Sequence, residues 1–232
     1  MNPSCNLFIV GPTGAGKTSI GRRLAEHYQL AFVDLDHEIE RHCGVPVGTV
    51  FELEGEAGFR RRESDMLDLC TQPQGIVLAT GAGAVLLEAE HWLAARPVTS
   101  IALRLAGLYG PGRLQLLDRL RAGQARVPRS HPHWANRIHV DDAAGAIAHL
   151  LAVPDPQPVY LGADDTPLPL DVLYDHLAAL IGAPAPADGL APAGVGSKRL
   201  SNARLRASGW APRWPDARTG YAALWDDAEP QS

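Results

Sequence analysis

The chain has 232 residues, of which 46% are hydrophobic and 20% charged, with a formal net charge of −5. That balance belongs to a globular chain long enough to bury one large core or two small ones, and it excludes a disordered polymer or a broadly basic nucleic-acid-binding surface. No apolar run approaches the ~20 residues that span a bilayer. The three cysteines (Cys5, Cys43, Cys70) show no paired metal spacing, and with the polar opening MNPSCN they predict a reduced cytoplasmic protein.

Asn6 to Val10 reads as a short buried strand, an apolar run ending at a glycine. Gly11 to Thr18 then matches G-x-x-x-x-G-K-[ST] at every fixed position. Glycines let successive N–H groups curl inward around a phosphate, and the helix that follows adds its positive dipole end. In such a cradle Lys17 reaches the β and γ oxygens, and the Thr18 hydroxyl ligates Mg²⁺. The candidate nucleotide-binding residues are therefore Gly11, Gly14, Ala15, Gly16, Lys17, Thr18 and Ser19, with ATP and Mg²⁺ as cofactors. Lysine usage points the same way. Of 21 basic residues only Lys17 and Lys198 are lysines, so a chain that otherwise uses arginine places a compact ammonium where a point charge is needed. Ile20, Leu24, Ala25 and Tyr28 form the apolar stripe of a helix after the loop.

Ala31 to Asp34 makes a second short strand, running into DLDHEIE. On an extended segment Asp34 and Asp36, two apart, face one side. There they suit either a pair in which one carboxylate holds Mg²⁺ and the other takes a substrate hydroxyl, or the acidic start of a solvated helix. In FELEGEAGFRRRES the consecutive arginines suit a solvated face or a two-pronged grip on a carboxylate. GIVLATGAGAVL reads as a β-branched strand entering a glycine loop, a third crossing that implies a parallel sheet with ligand loops at the carboxyl ends of its strands.

GPTGAGKTS, FVDLDHEIE, VFELEGEAGFRRRE and IVLATGAGAVL, in this order and spacing, resemble the N-terminal half of shikimate kinase. The resemblance implies that Lys17 and Thr18 serve ATP and Mg²⁺, with Asp34 also a metal residue. It further implies that Asp36, Arg60, Gly81 and Gly83 bind shikimate, with Lys17 and Asp36 as the catalytic pair and Asp36 beside the hydroxyl that is phosphorylated. One departure is visible: the family's triple glycine reads Gly81-Ala82-Gly83 here, a methyl where backbone approaches substrate.

Beyond residue 95 the composition changes. Residues 1–94 carry 7 basic against 13 acidic side chains, a net of −6, and the remainder 14 against 13, a net of +1. PVTSIALRLAGLYGPGR, NRIHVDDAAGAIAHLL, PVYLGADDTPLPLDVLYDHLAALIGAP and GSKRLSNARLRASGWAP resemble the C-terminal half of the extended short-chain dehydrogenases, in their atypical, epimerase-like branch that binds NAD(P). Their residues predict a strand over 100–105, a helix over 141–151 with Asp141 as N-cap and Asp142 in the first turn, a strand over 159–161 and a helix over 170–181. That family's G-x-x-G-x-x-G loop and Tyr-x-x-x-Lys pair are absent: Tyr109 is followed four residues later by Arg113. His131 and His133 alternate without a third ligand in reach of the pattern.

These readings predict an α/β fold, a parallel sheet with helices on both faces, kinase-like over 1–94 and epimerase-like over 95–232, with the joint between residues 84 and 98. The implied function is γ-phosphoryl transfer from Mg·ATP to a hydroxyl of a small shikimate-like acid, impaired because the kinase's lid half is missing. The alternatives are an NAD(P)-dependent epimerase- or reductase-like protein and a catalytically inactive hybrid. Neither nucleic acid nor membrane is an expected partner.

Overall fold

Ile76–Ala79 is an unbroken apolar run, and it becomes the middle strand of the kinase-like unit. In the computed structural model, which describes residues 6–10, 15–80, 101–190 and 197–228, all four of its residues are buried. The chain divides into two units, Met1–Ser100 and Ile101–Ser232. The predicted joint and the helix read across it fall on residues 81–100, outside the described residues.

In the first unit β1 (Leu7–Ile9), β2 (Ala31–Asp34) and β3 (Ile76–Ala79) form a parallel sheet in the order β1-β3-β2. Leu7 pairs with Val77 on one side of β3, and Ala31 pairs with Ile76 on the other. A strand covered on both faces and both edges has no position for a polar residue, hence its unbroken apolar sequence. α1 (Lys17–Tyr28) comes after β1 and lies on the sheet with Ile20, Leu24 and Ala25 buried. Gly21 is where helix and sheet come closest: a Cβ there would lie 2.5 Å from the Phe32 ring. α2 (Leu35–Cys43) and α3 (Val47–Cys70) pack together, closing a core of Leu35, Ile39, Val50, Phe59, Met66, Ile76 and Leu78. α3 is broken at Gly55, whose φ of 66° and ψ of −178° lie outside the helical region and are open essentially to glycine alone.

The second unit pairs β4 (Ala102–Leu105) with β9 (Val159–Gly162), β5 (Gly107–Tyr109) with β8 (Arg137–His139), and β6 (Arg126–Val127) with β11 (Ala187–Asp188), all parallel. β7 (Trp134–Ala135) and β10 (Leu168–Pro169) pair antiparallel. Its helices are α4 (Gln115–Arg121), α5 (Val140–Ala152), α6 (Leu170–Leu180), α7 (Ala203–Ala207) and α8 (Ala217–Ala228). Tyr109, Leu117, Leu120, Val127, Leu173, Leu177 and Tyr221 make its core, with Tyr109 and Tyr221 stacked 4.4 Å apart. The α/β class with parallel sheets and helices is as the sequence predicts.

One end differs. α5 is capped by the His139 side chain, which accepts the Asp141 N–H, and not by Asp141 itself. Asp142 turns inward instead. Its two oxygens accept the N–H groups of Arg213 (2.7 Å) and Trp214 (2.9 Å), anchoring the segment that leads into α8. Asp142 keeps its place in the first turn, while its carboxylate satisfies two backbone donors on a partly buried segment far along the chain.

Asp164, just after β9, is 3% exposed, and neither of its oxygens accepts a well-formed hydrogen bond. Burial pushes its carboxyl up to about 7, an effect that the nearby N–H groups of Thr166 and Ala217 only partly offset and that Asp216 reinforces. Because the folded value is raised, the native state holds a proton that the unfolded chain has released. Stability therefore falls as pH rises from about 4 to about 7, by up to ~1.4 kcal/mol per pH unit. Asp164→Asn is expected to abolish that part of the slope; urea unfolding of both proteins between pH 4 and 8 checks it. In the first unit, Gly21→Ala is expected to cost about 1–3 kcal/mol, because its methyl meets an aromatic ring and not a flexible chain end; denaturant midpoints measure this.

Candidate functional site

β1 and β2 are parallel and flank β3, so their carboxyl ends open at the same edge of the sheet. From the end of β1 the chain passes through the glycine loop, of which Gly11 to Gly14 lie outside the described residues. Ala15 and Gly16 lead into α1, and Gly16 serves as its N-cap in the left-handed region at φ 84°. A side chain is disfavoured there, so the motif's last glycine is what lets Lys17 become the first helical residue. Thr18, one residue on, donates its hydroxyl to Asp34 Oδ2 at 2.6 Å. Asp34 is the last residue of β2 and stands at the N-cap of α2, yet its carboxylate makes no bond to that helix.

The structure corrects the geometry of the acidic pair. The chain is already helical at Leu35, so Asp36 stands on the first turn of α2 and not on an extended segment beside Asp34. Leu35, 1% exposed, is the first residue of that helix and follows directly on the strand. Both carboxylates nonetheless act on one cation. Desolvation lowers the Lys17 ammonium, and Asp36 and Asp34 pull it back up. The Asp36 carboxyl is raised, by partial desolvation first and then by Asp34 and Glu63, with Lys17 working against them. Thr18, Asp34 and Asp36 line a cleft of about 730 Å³ together with Arg22, Phe32, His37, Glu38 and Glu40. The sequence reading did not single out those last five. An arginine one turn after the loop, and the polar side of DLDHEIE, were the available signals.

Arg60 lies on α3, where Glu63 holds its guanidinium at 2.7 Å and Glu56 approaches at 3.5 Å. The charge of Glu63, which holds Arg60, also bears on the Asp36 carboxyl. Ser19 is in the first turn of α1. Gly81 and Gly83, with Ala82 between them, lie outside the described residues. An alcohol and a carboxylate oxygen in contact form a hard-oxygen donor set, which fits a small divalent cation such as Mg²⁺.

A family model described as shikimate kinase matches residues 13–107. Shikimate kinase of Aeromonas salmonicida is 47% identical over 119 residues, which are 49% of this chain and 69% of that one. The chain belongs to the shikimate kinase family. Shikimate kinase of Bordetella avium is 62% identical over 87 residues, 38% of this chain, and the chain spans 42% of that relative's length. A solved structure described as an NAD-dependent epimerase/dehydratase from Methylobacillus flagellatus is 26% identical, with a TM-score of 0.60 over 97% of this chain and 98% of that one. The two likenesses together agree with a hybrid of kinase-like and epimerase-like sequence.

The Lys17 ammonium opposes the rise of the Asp36 carboxyl. Lys17→Met is therefore expected to move that carboxyl still higher, a shift readable by carbon NMR titration of the Asp36 side chain.

Proposed function

We propose that the first unit binds Mg·ATP and directs its γ-phosphoryl group to a hydroxyl of shikimate or a closely similar hydroxy acid. The observation that carries this reading is the 2.6 Å contact from Thr18 to Asp34 beside Lys17, in a cleft that Asp36 also lines. Gly11, Gly14, Ala15, Gly16 and Ser19 belong to the loop that holds the phosphates, and Lys17 supplies the point charge on their oxygens. Thr18 and Asp34 would hold the metal, which when bound would neutralise negative charge on the phosphates. Asp36 takes the proton of the attacking hydroxyl; desolvation and the neighbouring carboxylates raise its affinity for protons, which makes it a stronger base than an ordinary carboxylate. Arg60 grips the substrate carboxylate, and Gly81 and Gly83 are assigned to the same substrate.

In this reading residues 1–94 are the kinase-like segment and 95–232 the epimerase-like one. The kinase-like segment works without the arginine-bearing lid, whose charge is worth roughly 10³-fold or more in related phosphoryl transfer, so turnover is severely reduced. The epimerase- or reductase-like alternative draws on the full-length structural likeness. Against it stands Tyr109: its hydroxyl is fully buried and burial raises its pKa, so it is not placed to exchange a proton with a substrate.

The test is thermal unfolding with Mg·ATP, NADP⁺ or shikimate, then shikimate-dependent release of ADP. Ligand at about 100 times its dissociation constant stabilises the folded state by about 2.7 kcal/mol. A shift with Mg·ATP that Lys17→Ala abolishes, with slow ADP release, is the expected result. A shift with NADP⁺ alone would overturn the reading. Mg·ATP binding with no trace of shikimate-dependent ADP would leave an inactive hybrid.

A further inference from the structure

Arg62 carries a contact that the proposed chemistry does not use. It stands seven residues past the break in α3, and its guanidinium reaches back over that break to Glu54, with Nε bonding Oε1 at 3.0 Å and Oε2 at 2.8 Å and Nη2 bonding Oε1 at 2.5 Å. Nη1 meets Cys43 Sγ at 3.4 Å, so the same fork touches the end of α2. Space for the reach is provided by Gly58, where a Cβ would lie only 2.4 Å from Glu54 Cβ. The residue spanned is Gly55, the non-helical pivot of α3. Glu56, the next residue, is one of the two carboxylates that hold Arg60. Arg60 and both of its carboxylates stand on the segment that follows the pivot, so the angle at Gly55 sets where that segment carries the guanidinium assigned to the substrate carboxylate.

We propose that Arg62 is a positioning residue: its fork on Glu54 locks the Gly55 break, and the locked break sets Arg60 for a carboxylate ligand. An ordinary α-helical pair lies three or four residues apart. A pair eight apart closes only because the helix is broken, so the contact exists for one geometry of the break and is lost in others. Lysine is no substitute, since one ammonium cannot hold both oxygens in a planar fork.

This inference rests on the shikimate reading of the first unit, and the experiment separates the two. Calorimetric titrations of shikimate and of Mg·ATP are run on the full chain, on Arg62→Ala, and on the exchanged pair Glu54→Arg with Arg62→Glu. Arg62→Ala is expected to weaken shikimate about three- to fivefold, the range that a well-formed exposed pair supplies. Mg·ATP affinity is expected to stay unchanged, and the exchanged pair to recover most of the loss. Unaltered shikimate affinity in Arg62→Ala, or an equal fall in Mg·ATP affinity, overturns the positioning role, as does failure of the exchanged pair to recover. A parent chain that binds Mg·ATP but no shikimate overturns the substrate reading, and the inference falls with it.

Discussion

The hydrogen bond from Thr18 to Asp34 joins two segments that the chain makes separately, the first turn of α1 and the last residue of β2. It forms only because β1 and β2 run parallel on either side of β3, so that the segments leaving the two strands emerge at the same edge. Everything chemical in the first unit is arranged around that edge. Lys17 precedes the donor by one residue, Asp36 comes two after the acceptor, and Thr18, Asp34 and Asp36 line the cleft. The arrangement is electrostatically self-limiting. The crowding of Asp36 by a neighbouring carboxylate is tolerable because one partly desolvated ammonium is drawn toward both acids.

Much of this was legible in the sequence because its determinants are local. The motif's last glycine fixes the start of α1, an apolar run fixes β3, and an i, i+4 stripe fixes the buried face of α1. The helix over 140–152 and the strand over 159–162 fall within a residue or so of where their patterns place them. What was not legible depends on competition between neighbours. The spacing left open whether Asp34 and Asp36 share a strand or start a helix, and the structure begins α2 at Leu35, between them. Asp141 has the chemistry of an N-cap, but His139 takes that place, while Asp142 is claimed by two backbone donors 71 and 72 residues away. Local pattern cannot weigh a demand that arrives from so far along the chain.

The break at Gly55 shows the same limit in a subtler form. ELEGEAGFRRRE reads as a helix with glycines in it, and helical spacing pairs Arg60 with Glu56 and Glu63, as the structure does. Nothing in that spacing points from Arg62 to Glu54. The signal was there in two glycines three apart, one free to leave the helical region and one too small to block the returning side chain, but its meaning is three-dimensional.

The anchoring of the last helix by Asp142 has a consequence for the order in which the chain can fold. The first unit's core is drawn from residues 35–78 and can close early in synthesis. In the second unit Tyr109 lies in the core against Ala217 and Tyr221, and the carboxylate of Asp142 waits for N–H groups at 213 and 214. Domains fold as units during synthesis, N-terminal first. A ribosome that has made roughly the first 200 residues therefore carries one closed unit and one open one, its aromatic centre exposed until the final helix emerges.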